Sequence, residues 1–94
     1  MKTWFVYIIY CSDETLYTGI TTDIERRYAQ HALQQGAKYF RGRKPKKLVY
    51  QESGHDRSSA SKREMEIKKL SRKNKFLLIS SSENQIAMIL ADDV

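Results

Sequence analysis

Five side chains stand out for the chemistry they can do: two phenols, a guanidinium, an imidazole and a carboxylate. Tyr7 and Tyr17 sit in two apolar, strand-like runs, "VYIIY" and "LYTGI". Arg27 and His31 follow with Arg-x-x-x-His spacing, and Glu64 lies within "ASKREMEIKKL". A small core needs hydrophobic bulk, and a guanidinium or carboxylate is rarely buried without a partner. As a set these groups suit phosphodiester hydrolysis. A carboxylate holds a divalent cation, a guanidinium balances phosphate charge, and a phenol or imidazole handles protons.

The elements that must position them follow from the hydrophobic pattern. "WFVYIIYC" (4–11) is β-branched and aromatic on both faces, as suits a buried central strand. "SDE" (12–14) reads as a turn and "TLYTGI" (15–20) as a second strand, giving an antiparallel hairpin. If residues 11 and 15 pair, Tyr7 opposes Gly19 and Tyr17 opposes Ile9, so the phenols are diagonal neighbours on one face. Gly19 leaves space beside Tyr7. A glycine within a strand marks close approach by a ligand or backbone, a bulge, or relief of crowding.

Thr22 and Glu25 form a capping-box pattern opening a helix that runs to about Gln35, with Gly36 as its C-terminal signal. At 100° per residue, Ile24, Arg27, Tyr28 and His31 share one arc of that helix. "KKLVYQE" (46–52) predicts a third strand, residues 57–71 a second helix begun by Asp56 or Ser58, and residues 73–80 a third, short helix. A last helix is expected from about residue 83, striped by Ile86, Ile89 and Leu90. On the second helix Ala60, Ile67 and Leu70 mark the inward face, with Glu64 between Ala60 and Ile67 and Met65 pointing away. The purely structural readings are a core histidine at 31 and an Arg27–Glu64 salt bridge. The order ββαβα plus C-terminal helical turns predicts an α+β fold, a three-stranded antiparallel sheet flanked by helices.

Ninety-four residues make one domain. No apolar run reaches the length of a membrane span, and no small-residue cleavage site follows the N-terminal apolar run. The single cysteine, Cys11, excludes an internal disulfide and a cysteine-based zinc site. Its place at the end of an apolar run predicts a buried, inert thiol, and the expected location is cytoplasmic. The net charge of +6 is unevenly spread. Residues 38–50 hold six basic side chains and no acid: Lys38, Arg41, Arg43, Lys44, Lys46 and Lys47. This run reads either as a rim that contacts a nucleic-acid backbone or as a solvated loop. Tyr39, Phe40 and Tyr50 lie within it, where rings can stack on bases or pack in the core; for Tyr50 the core is the expectation.

"VYI" (6–8) and "YTG" (17–19), with their tyrosines ten residues apart, resemble the paired signature strands of the GIY-YIG endonuclease superfamily. Val6 stands where the first glycine would be, and the second motif reads Tyr-Thr-Gly. The resemblance continues through "TTDIERRYAQH", "RGRKPKKLVY" and "ASKREMEIKKLSRKNKFLLI", covers residues 4–79, and is nearest to small stand-alone bacterial members. It implies a nuclease domain over 1–80 followed by an acidic, helical or partly ordered tail, 81–94. It implies that Tyr7 or Tyr17 helps activate the attacking water while the other orients it. Arg27 would stabilise the pentavalent phosphate, His31 transfer protons, and Glu64 bind one Mg²⁺ or Mn²⁺, weakly without substrate. Many catalytic members carry an asparagine beyond the glutamate; the candidates here are Asn74 and Asn84. The implied function is metal-dependent cleavage of DNA in repair or recombination. The alternatives are a nucleic-acid-binding module with a degenerate site, or a nuclease that needs a protein partner for substrate specificity.

Overall fold

The computed structural model describes residues 2–33 and 38–86. Its elements are β1 (Trp4–Cys11), β2 (Leu16–Thr21), α1 (Ile24–Ala32), a 3-10 turn (Lys38–Phe40), β3 (Pro45–His55), α2 (Arg57–Lys68) and α3 (Arg72–Ile79). The three strands form one antiparallel sheet in the order β2-β1-β3. The apolar β1 is therefore central. Tyr7 pairs with Gly19 and Ile9 with Tyr17, the expected register.

Side chains of opposite parity along β1 feed two cores. Val6 and Ile8 pack with Tyr50, Ala60 and Ile67 beneath α2. Tyr7, Ile9 and Cys11 pack with Phe40 on the other face, joined by Tyr17, Ile24, Tyr28 and Tyr39. Tyr50 is thus a core residue, as expected, and Met65 is exposed. Cys11 is fully buried, and desolvation pushes its thiol pKa up, so it is an inert packing residue.

The helix boundaries depart from the pattern in informative ways. The N-cap of α1 is Asp23, whose carboxylate accepts from the Arg26 backbone N–H, rather than Thr22. A carboxylate one residue on reaches the orphan donor directly, and Thr21 braces the turn by bonding Asp23 N–H. The helix closes at Ala32 with Leu33 as its cap, short of Gln35; Gly36 lies outside the described residues. Asp56 caps α2 in a reciprocal box with Ser59. Helix α2 ends at Lys68 because Ser71 caps a separate α3 by accepting from Asn74 N–H. The 3-10 turn at 38–40 carries no periodic signal that would announce it.

Beyond α3 the chain folds back along the outer edge of β3. Asn84 accepts from Gln51 N–H and donates to the Val49 and Ile79 carbonyls. Gln85 N–H donates to the Gln51 carbonyl while its side chain accepts from Ser53 N–H. The expected helix start near residue 83 is not found, because Asn84 and Gln85 bond to β3 instead; helix is assigned only at Ile86, and Ile89 and Leu90 lie outside the described residues. Among the described residues no helix is long and apolar enough to cross a membrane.

Candidate active site

Strand alternation puts Tyr7 and Tyr17 on the same face, with ring centroids 6.3 Å apart. Gly19 sits directly opposite Tyr7, and a Cβ there would lie 2.5 Å from the Tyr7 hydroxyl oxygen. The missing side chain lets the phenol lie across β2, so Gly19 serves a close approach of Tyr7 rather than a bulge.

Helix α1 covers this face and delivers His31 into the aromatic cluster. The His31 ring is fully buried, stacked on Phe40 at 4.3 Å between centroids and set edge-on to Tyr17 at 5.3 Å. Its Nε2 shares a 2.9 Å hydrogen bond with the Tyr7 hydroxyl, while Nδ1 has no partner among the described residues. Desolvation, with the Arg27 charge nearby, lowers the His31 pKa to about 4. The imidazole is therefore neutral near pH 7. Burial also pushes the Tyr7 phenol well up, reinforced by Tyr17 and opposed by the adjacent Arg27. Tyr17 is raised by burial in the same way, again against the pull of Arg27. Both phenols are protonated at neutral pH, with a cation placed to help either one give up its proton.

Arg27 itself is half-buried, and its Nη1 donates to Gln30 Oε1 at 3.1 Å. No Arg27–Glu64 ion pair forms among the described residues; Glu64 instead meets Lys68 at 3.5 Å on its own helix. Glu64 belongs to α2, which packs on the sheet face opposite α1. Its carboxylate is nevertheless close enough to push up the pKa of both Tyr7 and Tyr17. The described structure thus brings Tyr7, Tyr17, Arg27 and His31 together on one face, with Glu64 approaching from the α2 side.

The donor set decides which metal fits. Among the described residues no group of three or more His, Cys, Asp or Glu side chains converges on a point, so no protein cage for zinc exists there. Glu64 keeps 21% of its side chain exposed, and among the described residues its ion partner is Lys68. One accessible carboxylate suits Mg²⁺ or Mn²⁺, which keep several waters and take further oxygens from substrate phosphate.

The basic run is not uniform. Arg43 donates to Asp13 Oδ2 at 2.7 Å and to the Tyr39 carbonyl at 3.2 Å, and its guanidinium lies 4.1 Å from the Tyr39 ring centroid. Lys44 and Ser12 exchange bonds across the same gap. Arg43 is therefore a clasp between the β1–β2 turn and the loop that holds Tyr39 and Phe40. Lys38, Arg41, Lys44, Lys46 and Lys47 are exposed. Phe40, which forms the floor under His31, reads in the sequence only as an aromatic of the basic run; its neighbours in sequence give no signal of that contact. Asn84 is buried and bonded to backbone, and Asn74 is exposed on α3.

Residues 3–76 match the GIY-YIG catalytic domain. The chain is 53% identical over 87 residues to a UPF0213 protein of Desulfotalea psychrophila, which covers 92% of this chain and 79% of that one. A UPF0213 protein of Staphylococcus saprophyticus is 50% identical over 80 residues, 85% of this chain and 98% of the other. The solution NMR structure of a UPF0213 protein from Bacillus halodurans is similar with a TM-score of 0.56 at 42% identity, over 89% of both chains. With a match that runs from the first tyrosine strand through the helix of Glu64, the chain belongs to the GIY-YIG catalytic domain family, a family of nucleases.

Proposed function

We propose that the protein is a divalent-metal-dependent endonuclease that hydrolyses phosphodiester bonds in DNA, in repair or recombination. The observation that carries this reading is the 2.9 Å bond between the Tyr7 hydroxyl and a buried, neutral His31, with Arg27 beside it. A neutral imidazole is a proton acceptor. As the Tyr7 oxygen takes a proton from the attacking water, its own proton passes to His31 Nε2. Tyr17 orients the water, and Arg27 balances the charge that builds on the phosphoryl oxygens. Glu64 is the residue that would hold the ion, which when bound polarises a phosphoryl oxygen as a Lewis acid. Burial of the Tyr7 phenol and the imidazole keeps bulk water from competing for their bond.

A second reading has one observation in its favour. Asn84 is fixed to the backbone of Val49, Gln51 and Ile79, so it is engaged in the fold. That leaves Asn74, exposed on α3, as the other candidate; if it does not serve, the domain lacks the asparagine of its catalytic relatives and is a nucleic-acid-binding module. One experiment separates the two: purified protein incubated with nicked, branched and damaged DNA in Mg²⁺, Mn²⁺ or EDTA. Cleavage that needs the ion, and disappears in Glu64→Gln, supports the nuclease. Binding in EDTA with no cleavage of any structure under either ion supports the module. Cleavage only after adding a co-purifying protein assigns specificity to a partner.

A further inference from the structure

On the face opposite α1, a buried carboxylate organises three side chains. Glu52 on β3 accepts from the Tyr50 hydroxyl, from His55 Nε2 at 2.8 Å and from Arg63 Nε at 3.0 Å. Burial pushes the Glu52 pKa up, but the bonds from Tyr50 and His55 and the Arg63 charge outweigh it and hold the pKa below the usual carboxylate value. His55 continues through Nδ1 to Ser59, at 3.0 Å, and Ser59 closes the capping box of α2. Arg63 reaches on to Glu83 at 2.8 Å. The cluster therefore grips α2 at its first turn and again near its middle, and ties both points to β3.

The next residue after Arg63 is Glu64. Ala60 and Ile67 form the buried seam of α2, and at 100° per residue Arg63 and Glu64 flank that seam on opposite sides. Arg63 points to β3, at one edge of the sheet, and Glu64 lies on the flank towards β2, at the other. The two sides are held unequally. Among the described residues Arg63 is fixed to another element by ion pairs, whereas Glu64 pairs with Lys68 of its own helix. A methyl group at Ala60 resists rolling weakly. A roll of about 10° at the side-chain radius of about 5–6 Å moves a carboxylate by about 1 Å. Metal and phosphate sites tolerate about half of that.

We propose that Glu52 and Arg63 are positioning residues for Glu64: their ion pair fixes the roll of α2 and so sets the distance of the metal-binding carboxylate from Tyr7 and Tyr17. This rests on Glu64 as the metal ligand, as proposed above. Arg63 acts through the protein, with its guanidinium bonded to two carboxylates of this chain. Its planar fork, with Nε on Glu52 and Nη2 on Glu83, defines a rotation that a single ammonium does not.

The probe is the manganous ion alone, followed by paramagnetic broadening of backbone amides on the full chain without DNA. In the wild type, broadening centres on Glu64 and the facing residues of β2, and it vanishes in Glu64→Gln. In Arg63→Gln the midpoint rises about tenfold or more, the usual loss when a group that orients a metal ligand is removed. Arg63→Lys, which keeps the charge and the stem, moves the midpoint the same way and serves if Arg63→Gln does not fold. Cleavage then needs correspondingly more Mn²⁺, with turnover at saturating ion changing less. If the wild type centres on Glu64 and folded Arg63 variants keep its midpoint, the positioning role is overturned while the metal assignment stands. If broadening in the wild type centres elsewhere, the metal assignment falls, and the positioning role with it.

Discussion

The Tyr7 hydroxyl fills the volume that a side chain at residue 19 would occupy: a Cβ on Gly19 would stand 2.5 Å from the oxygen and 2.7 Å from Cζ. The phenol reaches His31 only because the paired strand offers bare backbone at that point.

Gly19→Ala therefore attacks the site through packing. The methyl group forces the Tyr7 ring off its present place and breaks the bond to His31. Overpacking of this kind costs about 1–3 kcal/mol, visible as a lower denaturation midpoint. Cleavage should fall by about 10²-fold or more, since reacting groups displaced by about 1 Å lose that much. A variant with wild-type cleavage would show that the Tyr7–His31 bond is dispensable.

Conservative substitutions separate packing from chemistry. Tyr7→Phe and Tyr17→Phe keep the rings, and near-normal folding and DNA binding are expected. Cleavage should drop by a factor on the order of 10²–10⁴ if the hydroxyls assist proton transfer. Arg27→Ala should be at least as damaging, because it removes charge stabilisation at the phosphate. Single-turnover cleavage beside a binding isotherm checks each variant; equal losses of binding and cleavage would make these residues parts of the core and nothing more.

The exposed cations and Arg43 should behave differently. Removing three of Lys38, Arg41, Lys44, Lys46 and Lys47 should weaken DNA binding across sequences and flatten its salt dependence, by about one log–log unit for each phosphate no longer neutralised. Arg43→Ala breaks the clasp to Asp13 and Tyr39. Its main effect should be on stability and on cleavage through the Tyr39–Phe40 loop, with a smaller change in salt slope. Fluorescence anisotropy over a salt series measures both, and equal slopes for the triple variant and wild type would place the DNA on another surface.

His31 also sets a pH dependence of stability. Its folded pKa of about 4 lies below the ordinary histidine value of 6.5. Between those values the unfolded chain binds a proton that the folded one refuses, so stability rises with pH through the window. The contribution is complete above about pH 6.5 and is lost as pH falls towards 4. It amounts to about 1–3 kcal/mol. His31→Phe should flatten the difference in denaturation midpoints between pH 7 and pH 5. The Tyr7 and Tyr17 phenols beside it, pushed up by burial, do not titrate there, so an unchanged pH slope in the variant would mean that the imidazole is hydrated.

What the sequence displays and what it hides divide along physical lines. Period-two alternation fixes which residues share a face, so the Tyr7–Gly19 and Ile9–Tyr17 register is legible in the order of residues alone. Helical spacing likewise places Arg27 and His31 on one arc. The spacing carries no information on what a residue meets across the core. His31 stacks on Phe40, nine positions away through a segment without periodicity, and Glu64 pairs with Lys68 although the helical pattern equally allows a bond to Arg27. Nor does any local pattern announce Glu52. Alternation puts Glu52 on the face of Tyr50, but it does not say that Tyr50, His55 and Arg63 close over the carboxylate there.

The hydrogen bonds from Asn84 and Gln85 to β3 have a consequence for self-association. An unpaired strand edge is a template for another chain. Here the outward groups of residues 49, 51 and 53 are already taken by side chains and backbone of the same molecule. A chain cut after residue 80 would keep every residue of the candidate site and would offer that edge to its neighbours. The six residues that follow act as a guard against strand-to-strand polymerisation along the stretch of β3 from residue 49 to residue 53.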